Sequence, residues 1–236
     1  MKSTFQNIAI LLAGGEGKRV GGDIPKQLRT LPDGRTVLQT CIDTFRLCPV
    51  IDDIWVVMHR DWLSYVPAGV HAIEGGKERW ESSFRAIQAI CEHYQENVNV
   101  WIHDVARPFV SQTILQRIRE AIAKYEALSV AIPVTDTIYQ VQSSSFASSS
   151  SVTSSATEDL TLQSIPPRPS LMRAQTPQVF RLSLIKKAFE LAVADPNGIQ
   201  ATDDAGIVLR YMPHFAIHII PGEEANRKIT FQEDLL

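Results

Sequence analysis

Short, mostly apolar segments rich in Ile and Val alternate along this chain with segments of helical periodicity. Strands that are buried on both faces lack polar alternation, so such runs are typical of a parallel sheet. The apolar runs are Asn7–Ala13, Ile54–Met58, Val98–His103, Ser129–Pro133 and Phe215–Ile220. The helical segments are Val37–Leu47, Glu78–Tyr94, Gln112–Glu126, Leu182–Ala194 and Asp203–Tyr211. The alternation predicts βαβ units in an α/β fold, with a Rossmann-like, mainly parallel sheet flanked by helices.

The composition limits the classes of protein to consider. The chain has 236 residues, 44% hydrophobic and 21% charged, which is enough for one buried core and predicts a single domain over 1–236. Its net charge of −3 is too small to gather nucleic acid or an anionic membrane, so we expect neither partner. Three cysteines without a Cys-x-x-Cys spacing indicate free thiols. Ile8–Ala13 is far shorter than the roughly 20 residues of a membrane helix, and no secretory signal pattern precedes it, so we expect a cytoplasmic protein.

A serine-rich stretch interrupts the alternation. Between Ser143 and Ser155, nine of the thirteen residues are Ser. Such a stretch cannot offset its ordering entropy by burying side chains. We therefore predict a mobile insert within a protruding β-arm, between short strands at Ile138–Val141 and Leu160–Ile165.

The first predicted strand ends in a glycine-rich loop, Gly14–Gly22, which Pro25-Lys26-Gln27 follows. Glycines let backbone N–H groups approach a phosphate closely. No Gly-Lys-Ser/Thr closes the loop as in a Walker motif, and Val20 stands where the dinucleotide fingerprint has its third glycine. The loop region instead carries cations, which suit a triphosphate whose charge grows during a reaction. These cations are Lys18, Arg19, Lys26 and Arg29.

Asp104 directly follows the predicted strand Val98–His103. Ligands of parallel sheets bind beyond the C-terminal ends of the strands, so this carboxylate should reach a ligand. A carboxylate beside phosphate oxygens suits Mg²⁺, and we predict Asp104 as the magnesium ligand. We expect His103 to be packed inside the protein. His214 and His218 should share one face of the last strand, but without a third ligand they make a poor metal site.

Six motifs in order carry a family resemblance. Leu-x-Ala-Gly-Gly-x-Gly-x-Arg with Pro-Lys-Gln resembles the signature of the sugar-phosphate nucleotidyltransferases. With five further motifs, the chain resembles the 2-C-methyl-D-erythritol 4-phosphate cytidylyltransferase family over nearly its whole length. The five motifs are Gly75–Ser82, His103–Pro108, Pro133–Thr137, Ala174–Gln178 and Asn226–Thr230.

The resemblance implies transfer of a cytidylyl group from CTP to 2-C-methyl-D-erythritol 4-phosphate, with release of pyrophosphate, in the non-mevalonate isoprenoid pathway. The accepting phosphate is already ionised near neutral pH because its second pKa is about 6, so no general base is needed. Cations must supply most of the catalysis. The implied catalytic residues are Lys26 at the α-phosphate, Arg19 at the departing phosphates, and Lys228.

The resemblance also implies the binding residues and a homodimer. The arm, at approximately residues 137–168 with the insert at 143–155, would form the dimer, and Thr137 and Arg168 would act on the neighbour's site. The implied nucleotide-binding residues are Ala13, Gly14, Gly15, Gly17, Gly76 and Ser82. The implied polyol-phosphate residues are Arg107, Thr137, Arg168, Thr176 and Thr202, with Lys228.

Three features depart from the family pattern. Lys77 stands where the family commonly has an Asp near cytosine, which weakens the assignable contact to that base and leaves the base preference open. Ala225 stands where an Asp commonly precedes Asn-x-Lys, and Glu223 and Glu224 are candidates to replace that carboxylate. The serine-rich insert lengthens the arm and leaves the register of Arg168 open.

Three other functions stay open at the level of sequence. Ribitol-5-phosphate cytidylyltransferases have a similar loop and a similar Thr-Pro-Gln motif. An NAD(P)-binding oxidoreductase is disfavoured by Val20 and by Lys26, which hydride transfer does not need. A non-catalytic nucleotide-binding protein is opposed by the retained charged residues Arg19, Lys26, Asp104 and Lys228.

Overall fold

The computed structural model describes residues 5–15, 24–94, 97–143, 160–199 and 201–235. Gly17, Lys18 and Arg19 of the glycine-rich loop and the insert after Ser143 lie outside the described residues. The chain divides into two compact units, one formed by 1–131 with 174–236 and the other by 132–173. The second unit contains the segment predicted as an arm.

The sheet confirms the α/β prediction. Over the described residues it has seven strands, in the order β3-β2-β1-β4-β8-β5-β9. The pairs β3–β2, β2–β1, β1–β4 and β5–β9 are parallel, whereas β8 runs antiparallel to β4. The strands are β1 (Gln6–Leu12), β2 (Asp53–Met58), β3 (His71–Glu74), β4 (Val98–Asp104), β5 (Ala127–Pro133), β8 (Met172–Arg181) and β9 (His218–Pro221).

Helices cover both faces of the sheet, as the runs without polar alternation predict. α1 and α3 pack on one face and α2, α4 and α5 on the other, each set in its own buried cluster with strand side chains. Thr36, Ser111 and Asp203 cap α1, α3 and α5 through their side-chain oxygens. No helix in the described part of the chain is long and apolar enough to span a membrane. The helices are α1 (Val37–Arg46), α2 (Arg79–His93), α3 (Gln112–Ile122), α4 (Leu182–Val193) and α5 (Asp204–Tyr211).

Three strand expectations need correction. β3 and β8 are absent from the sequence prediction, because β3 is a largely exposed strand and β8 buries polar side chains, so neither forms an apolar run. The last strand begins at His218 rather than Phe215, and His214 therefore does not share a strand face with it. The His214 ring contacts Phe215, and the His218 ring stacks on Tyr125.

The smaller unit contains a pair of antiparallel strands, β6 (Gln140–Ser143) and β7 (Leu160–Ser164), close to the two strands expected there. Several apolar side chains of this unit are exposed, among them Tyr139, Leu160 and Leu162. Arg168 Nη2 donates to the Thr137 hydroxyl at 3.3 Å. The two arm residues implied as substrate contacts are thus neighbours within this unit.

Candidate functional site

The strand register brings the predicted nucleotide loop and the predicted metal ligand to one end of the sheet. Leu12 at the end of β1 is paired with Asp104 at the end of β4, and the Ala13 N–H bonds to the Val57 carbonyl of β2. A pocket of about 580 Å³ opens at this end. Its lining includes eight residues assigned from sequence, namely Ala13, Gly14, Gly15, Gly76, Ser82, Lys26, Lys228 and Asp104.

The loop before α2 forms one wall of the pocket. Gly76 has no room for a side chain, because an added Cβ would lie 2.2 Å from the Glu81 Cβ. Ser82 is buried, and its hydroxyl accepts the Gly76 N–H at 3.0 Å. At Lys77, where the family commonly has Asp, the backbone N–H donates to the Glu81 carboxylate at 2.7 Å. The Gly76 and Ser82 predictions therefore fall on the pocket wall, and Ser82 holds the loop in shape.

The Pro-Lys-Gln segment forms a second wall. Buried Gln27, in the short 3-10 helix Lys26–Leu28, donates its side-chain amide to the Ala13 carbonyl. Lys26 Nζ donates to the Ile229 carbonyl at 2.9 Å, a contact between residues 203 positions apart. These bonds connect the glycine-rich loop, Lys26 and the segment that carries Lys228.

Two cations hold the carboxylate of Asp104. Arg79 Nε lies 3.1 Å from Oδ1, and Lys228 Nζ lies 2.8 Å from Oδ2. Burial alone raises the pKa of a carboxyl group, but the Arg79 and Lys228 charges outweigh it, so the pKa of Asp104 lies well below its usual range. Asp104 is therefore ionised at neutral pH.

Arg79 and Asp204 form a part of the site that sequence reasoning missed. Arg79 Nη1 donates to Asp204 Oδ2 at 2.8 Å, and Asp204 is fully buried. Gln178 of β8 accepts the backbone N–H groups of Asp204 and Ala205 through its side-chain oxygen and so fixes the start of α5. The available signal was the pair of adjacent acids at the start of a predicted helix, together with Arg79 in the Gly75–Ser82 motif.

Lys228 is positioned by the Asn-Arg-Lys motif. Buried Asn226 donates its side-chain amide to the Thr176 carbonyl at 2.9 Å and to Gln175 Oε1 at 3.2 Å. The Ile229 N–H bonds to the Ala106 carbonyl at 2.7 Å, just beyond β4. Arg107 donates to the carbonyls of Asn226 and Ala174, and so joins this segment to β8.

Thr176 and His103 support the backbone of Asp104. The Thr176 hydroxyl accepts the Asp104 N–H at 3.1 Å and bonds to His103 Nδ1 at 3.0 Å, and His103 Nε2 donates to the Arg107 carbonyl. His103 is packed inside the protein, as expected, and burial lowers its pKa to about 4.

The low pKa of His103 predicts acid sensitivity. The pKa of a histidine is near 6.5 in the unfolded chain, and that of His103 is about 4 in the folded protein. Between these two pH values the imidazole is protonated in the unfolded chain but neutral in the folded protein. Folding stability therefore falls as the pH falls through this window. The expected loss at pH 5 is about 2 kcal/mol. Urea unfolding of the protein and of His103→Gln at pH 7, 6 and 5 tests this prediction.

The variant is expected to be less stable at pH 7 but to lose less stability on acidification. Titration of Asp104 does not affect this comparison. Its pKa is lowered in the folded protein, so its contribution to stability is lost only when the pH falls below the unfolded pKa of about 4. Equal pH slopes for the two proteins would show that His103 does not control this sensitivity.

Other predicted contacts fall outside the pocket lining. The guanidinium group of Arg107 already donates to two carbonyls, and the Thr176 hydroxyl has the two protein partners described above. Thr202 is exposed, one residue before the cap of α5. Glu223, a candidate to replace the carboxylate missing at Ala225, lies 3.6 Å from Arg117.

Asp104 has the charge and the position expected of a magnesium ligand, although its two oxygens already contact Arg79 and Lys228. It is ionised, it lines a pocket that also contains Lys26 and Lys228, and it lies at the ligand end of the sheet. Among the described residues, no group of three His, Cys, Asp or Glu side chains could hold a metal ion. Mg²⁺ commonly binds proteins through one or two carboxylates and takes its other ligands from water and substrate phosphates.

The fold and the site together define an α/β nucleotidyltransferase. A glycine-rich segment, Lys26, Lys228 and Asp104 meet at the C-terminal ends of parallel strands, where such sheets bind nucleotides. The family model for 2-C-methyl-D-erythritol 4-phosphate cytidylyltransferase matches residues 7–236. The chain belongs to this family, which confirms the resemblance drawn from the six motifs.

The similar proteins include members of this family and one protein of a different name. A 2-C-methyl-D-erythritol 4-phosphate cytidylyltransferase of Thermobifida fusca is 36% identical over 96% of this chain and 89% of its own length. The crystal structure of the Francisella tularensis enzyme of that name has a TM-score of 0.78 and 25% identity, covering 98% of this chain and 96% of its own. A bifunctional ribulose 5-phosphate reductase/CDP-ribitol pyrophosphorylase of Haemophilus influenzae is 34% identical over 98% of this chain, but over 47% of its own length.

Proposed function

We propose that this protein joins CTP and 2-C-methyl-D-erythritol 4-phosphate to give 4-diphosphocytidyl-2-C-methyl-D-erythritol and pyrophosphate. The observation that carries the proposal is the pocket in which Lys26 and Lys228 meet the glycine-rich segment and Asp104. The family assignment supports the choice of substrates. The enzyme acts in the cytoplasm, where CTP is available.

The chemistry follows from charge. A phosphate oxygen of the polyol substrate forms a bond to the α-phosphorus of CTP, while the bond from that phosphorus to the bridging oxygen breaks and pyrophosphate leaves with the electron pair. Because the attacking phosphate is already ionised, the chain need not remove a proton. Its task is to hold two anions together and to stabilise the charge on the transferring and departing phosphates.

The assigned residues divide this task. Lys26 contacts the α-phosphate, Arg19 the departing phosphates, and Lys228 the anionic groups beside Asp104. Ala13, Gly14, Gly15, Gly17, Gly76 and Ser82 hold the nucleotide. Arg107, Thr176 and Thr202, which lie outside the pocket lining, are assigned to the polyol phosphate, as are Thr137 and Arg168 of the neighbouring copy. Magnesium held by Asp104 would neutralise part of the triphosphate charge.

The test is a matrix of substrates. Each of the four nucleoside triphosphates is combined with 2-C-methyl-D-erythritol 4-phosphate and with ribitol 5-phosphate, with and without Mg²⁺, and pyrophosphate release is measured. We expect turnover with CTP, methylerythritol phosphate and Mg²⁺. Equal turnover with the other nucleotides would contradict the cytosine preference. This comparison is the most informative part of the matrix, because Lys77 replaces the Asp that the family commonly has near cytosine.

One alternative substrate has an observation in its favour. The Haemophilus influenzae relative named a CDP-ribitol pyrophosphorylase aligns with nearly the whole chain, and Ala225 lacks the carboxylate common in the methylerythritol family. Turnover with ribitol 5-phosphate alone would assign the protein to that reaction. Failure with every pair would indicate a binding protein without activity.

We also propose a homodimer formed through the smaller unit. Its exposed apolar side chains Tyr139, Leu160 and Leu162 are a surface that a second copy would cover.

Mixing inactive Arg168→Ala protein with inactive Lys26→Ala protein tests both the dimer and the contribution of Arg168 to the active site of the other copy. If Arg168 serves the neighbour's site, mixed dimers contain one intact site and turnover returns. Continued inactivity after subunit exchange, or an active monomer in sedimentation, would contradict this role.

A further inference from the structure

Lys77 places an unpaired positive charge at the pocket wall. It lines the pocket, it is exposed, and its ammonium group forms no ion pair with the residues that the structure describes. The other lining cations in this part of the chain have partners: Lys26 at the Ile229 carbonyl, and Arg79 and Lys228 at the Asp104 carboxylate. Lys77 is therefore the lining cation whose charge is left for a ligand.

The backbone that carries Lys77 is held by the first turns of α2. Side chains of this helix bond to one backbone group of each residue in Gly75–Lys77. Arg85 donates to the first carbonyl at 2.9 Å, the Ser82 hydroxyl accepts the second N–H at 3.0 Å, and the Glu81 carboxylate accepts the third N–H at 2.7 Å. Glu81 thus fixes the backbone of Lys77 and leaves its ammonium group unpaired.

The residue at position 77 decides the charge of the pocket lining. Four of the described lining residues are cations and two are acids, which leaves a net charge of +2; they are Lys26, Lys77, Arg79 and Lys228 with Glu78 and Asp104. With the Asp that the family commonly has at position 77, the same lining would be neutral. Lys77 therefore makes this part of the pocket more attractive to a polyanion.

Building on the proposed function, we propose that Lys77 binds the triphosphate of the nucleotide and does not select the base. Its four-carbon stem reaches farther from the loop than the side chain of the usual Asp, and its ammonium group is a point charge that suits phosphate oxygens. Selection between base edges needs donors in a fixed geometry, which a flexible, unpaired lysine does not offer. Lys77 is thus a binding residue that lowers the KM for CTP and leaves kcat unchanged.

The affinity is tested by calorimetry of CTP with Mg²⁺, without polyol phosphate, so that no transfer takes place. Lys77→Gln is expected to weaken CTP binding about fivefold at low salt, and the charge reversal Lys77→Asp about 20-fold. Both differences should shrink at high salt, because exposed charges are screened. Lys187→Gln, which removes an exposed lysine that pairs with Glu190 on α4, is the matched control and should change nothing. Unchanged CTP affinity in both Lys77 variants would overturn the proposal.

Three further ligands show which part of the nucleotide Lys77 contacts. We expect Lys77→Gln to weaken inorganic triphosphate as much as CTP, to weaken CMP less, and to leave the ratio of CTP to UTP affinity unchanged. A changed ratio with an unchanged affinity for inorganic triphosphate would show that Lys77 selects the base, and the assignment to the triphosphate would then be wrong. In turnover, a fall in kcat without a rise in the KM for CTP would also contradict it.

The outcomes distinguish the role of Lys77 from the proposed reaction. If the parent joins CTP and the polyol phosphate but the Lys77 variants keep its CTP affinity and KM, only the role of Lys77 fails. If the substrate matrix gives no turnover with any pair while the CTP and triphosphate affinities change as stated, the role of Lys77 stands and the proposed reaction fails.

Discussion

Replacing Lys26 by alanine is expected to lower kcat by about 10²–10³-fold, the usual loss when one preorganised donor to a transition state is removed. Lys26 lines the pocket, and its ammonium group is held by the Ile229 carbonyl. It therefore does not have to be reorganised when charge develops on the α-phosphate. The measurement is steady-state pyrophosphate release at saturating CTP and polyol phosphate.

Two controls make this result interpretable. Lys187→Ala removes a lysine from the exposed face of α4, where it pairs with Glu190, and is expected to leave kcat unchanged. Because Lys26 also bonds to Ile229, a thermal melt of Lys26→Ala shows whether the pocket still folds. A folded variant with near-normal kcat would show that Lys26 does not contact the reacting phosphate, whereas a rise in KM alone would assign it to ground-state binding.

Replacing Arg79 by methionine is expected to cost about 3–5 kcal/mol of unfolding free energy, the typical loss when one partner of a buried ion pair is removed. The reason is Asp204, which is fully buried and has Arg79 as its ion-pair partner. Burial alone would lower the pKa of Arg79, but the Asp204 and Asp104 charges raise it above its ordinary value. Urea unfolding at pH 7 measures the loss.

A double variant identifies the cause of that loss. Arg79→Met with Asp204→Asn removes the buried charge as well as its partner, so the double variant is expected to be more stable than Arg79→Met alone. Asp195→Asn is the matched control for the acid, because Asp195 bonds to Tyr211 at the other end of α5 and is not part of the site. If the double variant is as unstable as the single one, the cost comes from lost packing of the arginine side chain.

Much of the fold is predictable from the sequence because central strands and amphipathic helices leave local patterns. β1, β2, β4 and β5 each lie within two residues of an apolar run, and four helices agree with their predicted segments to within a residue or two. α3 ends at Ile122 rather than Glu126, since the amphipathic stripe ends there. Asp104 could be predicted as a site residue from a local pattern too, because it is a charged residue directly after the apolar run Val98–His103.

β8 could not be predicted in this way. Its buried residues include Gln175, Thr176 and Gln178, whose burial is compensated by hydrogen bonds to residues far away in the chain. Gln178 bonds to Ser129 and Asp203, and Gln175 to the Glu223 carbonyl. Hydrogen-bond partners that are distant in sequence produce no local periodicity. β8, which lies between β4 and β5 in the sheet, therefore has no apolar pattern that predicts a strand.

The sequence by itself therefore determined the α/β class, the glycine-rich loop, and the residue types of the site, because burial patterns and motifs are local properties. Only the tertiary structure decided how those charges are paired. Arg79 and Asp204 are 125 positions apart, and Lys228 and Asp104 are 124 apart. An ion pair depends on distances of a few ångströms, and these were set by the packing of α2, α5 and β4 at one end of the sheet.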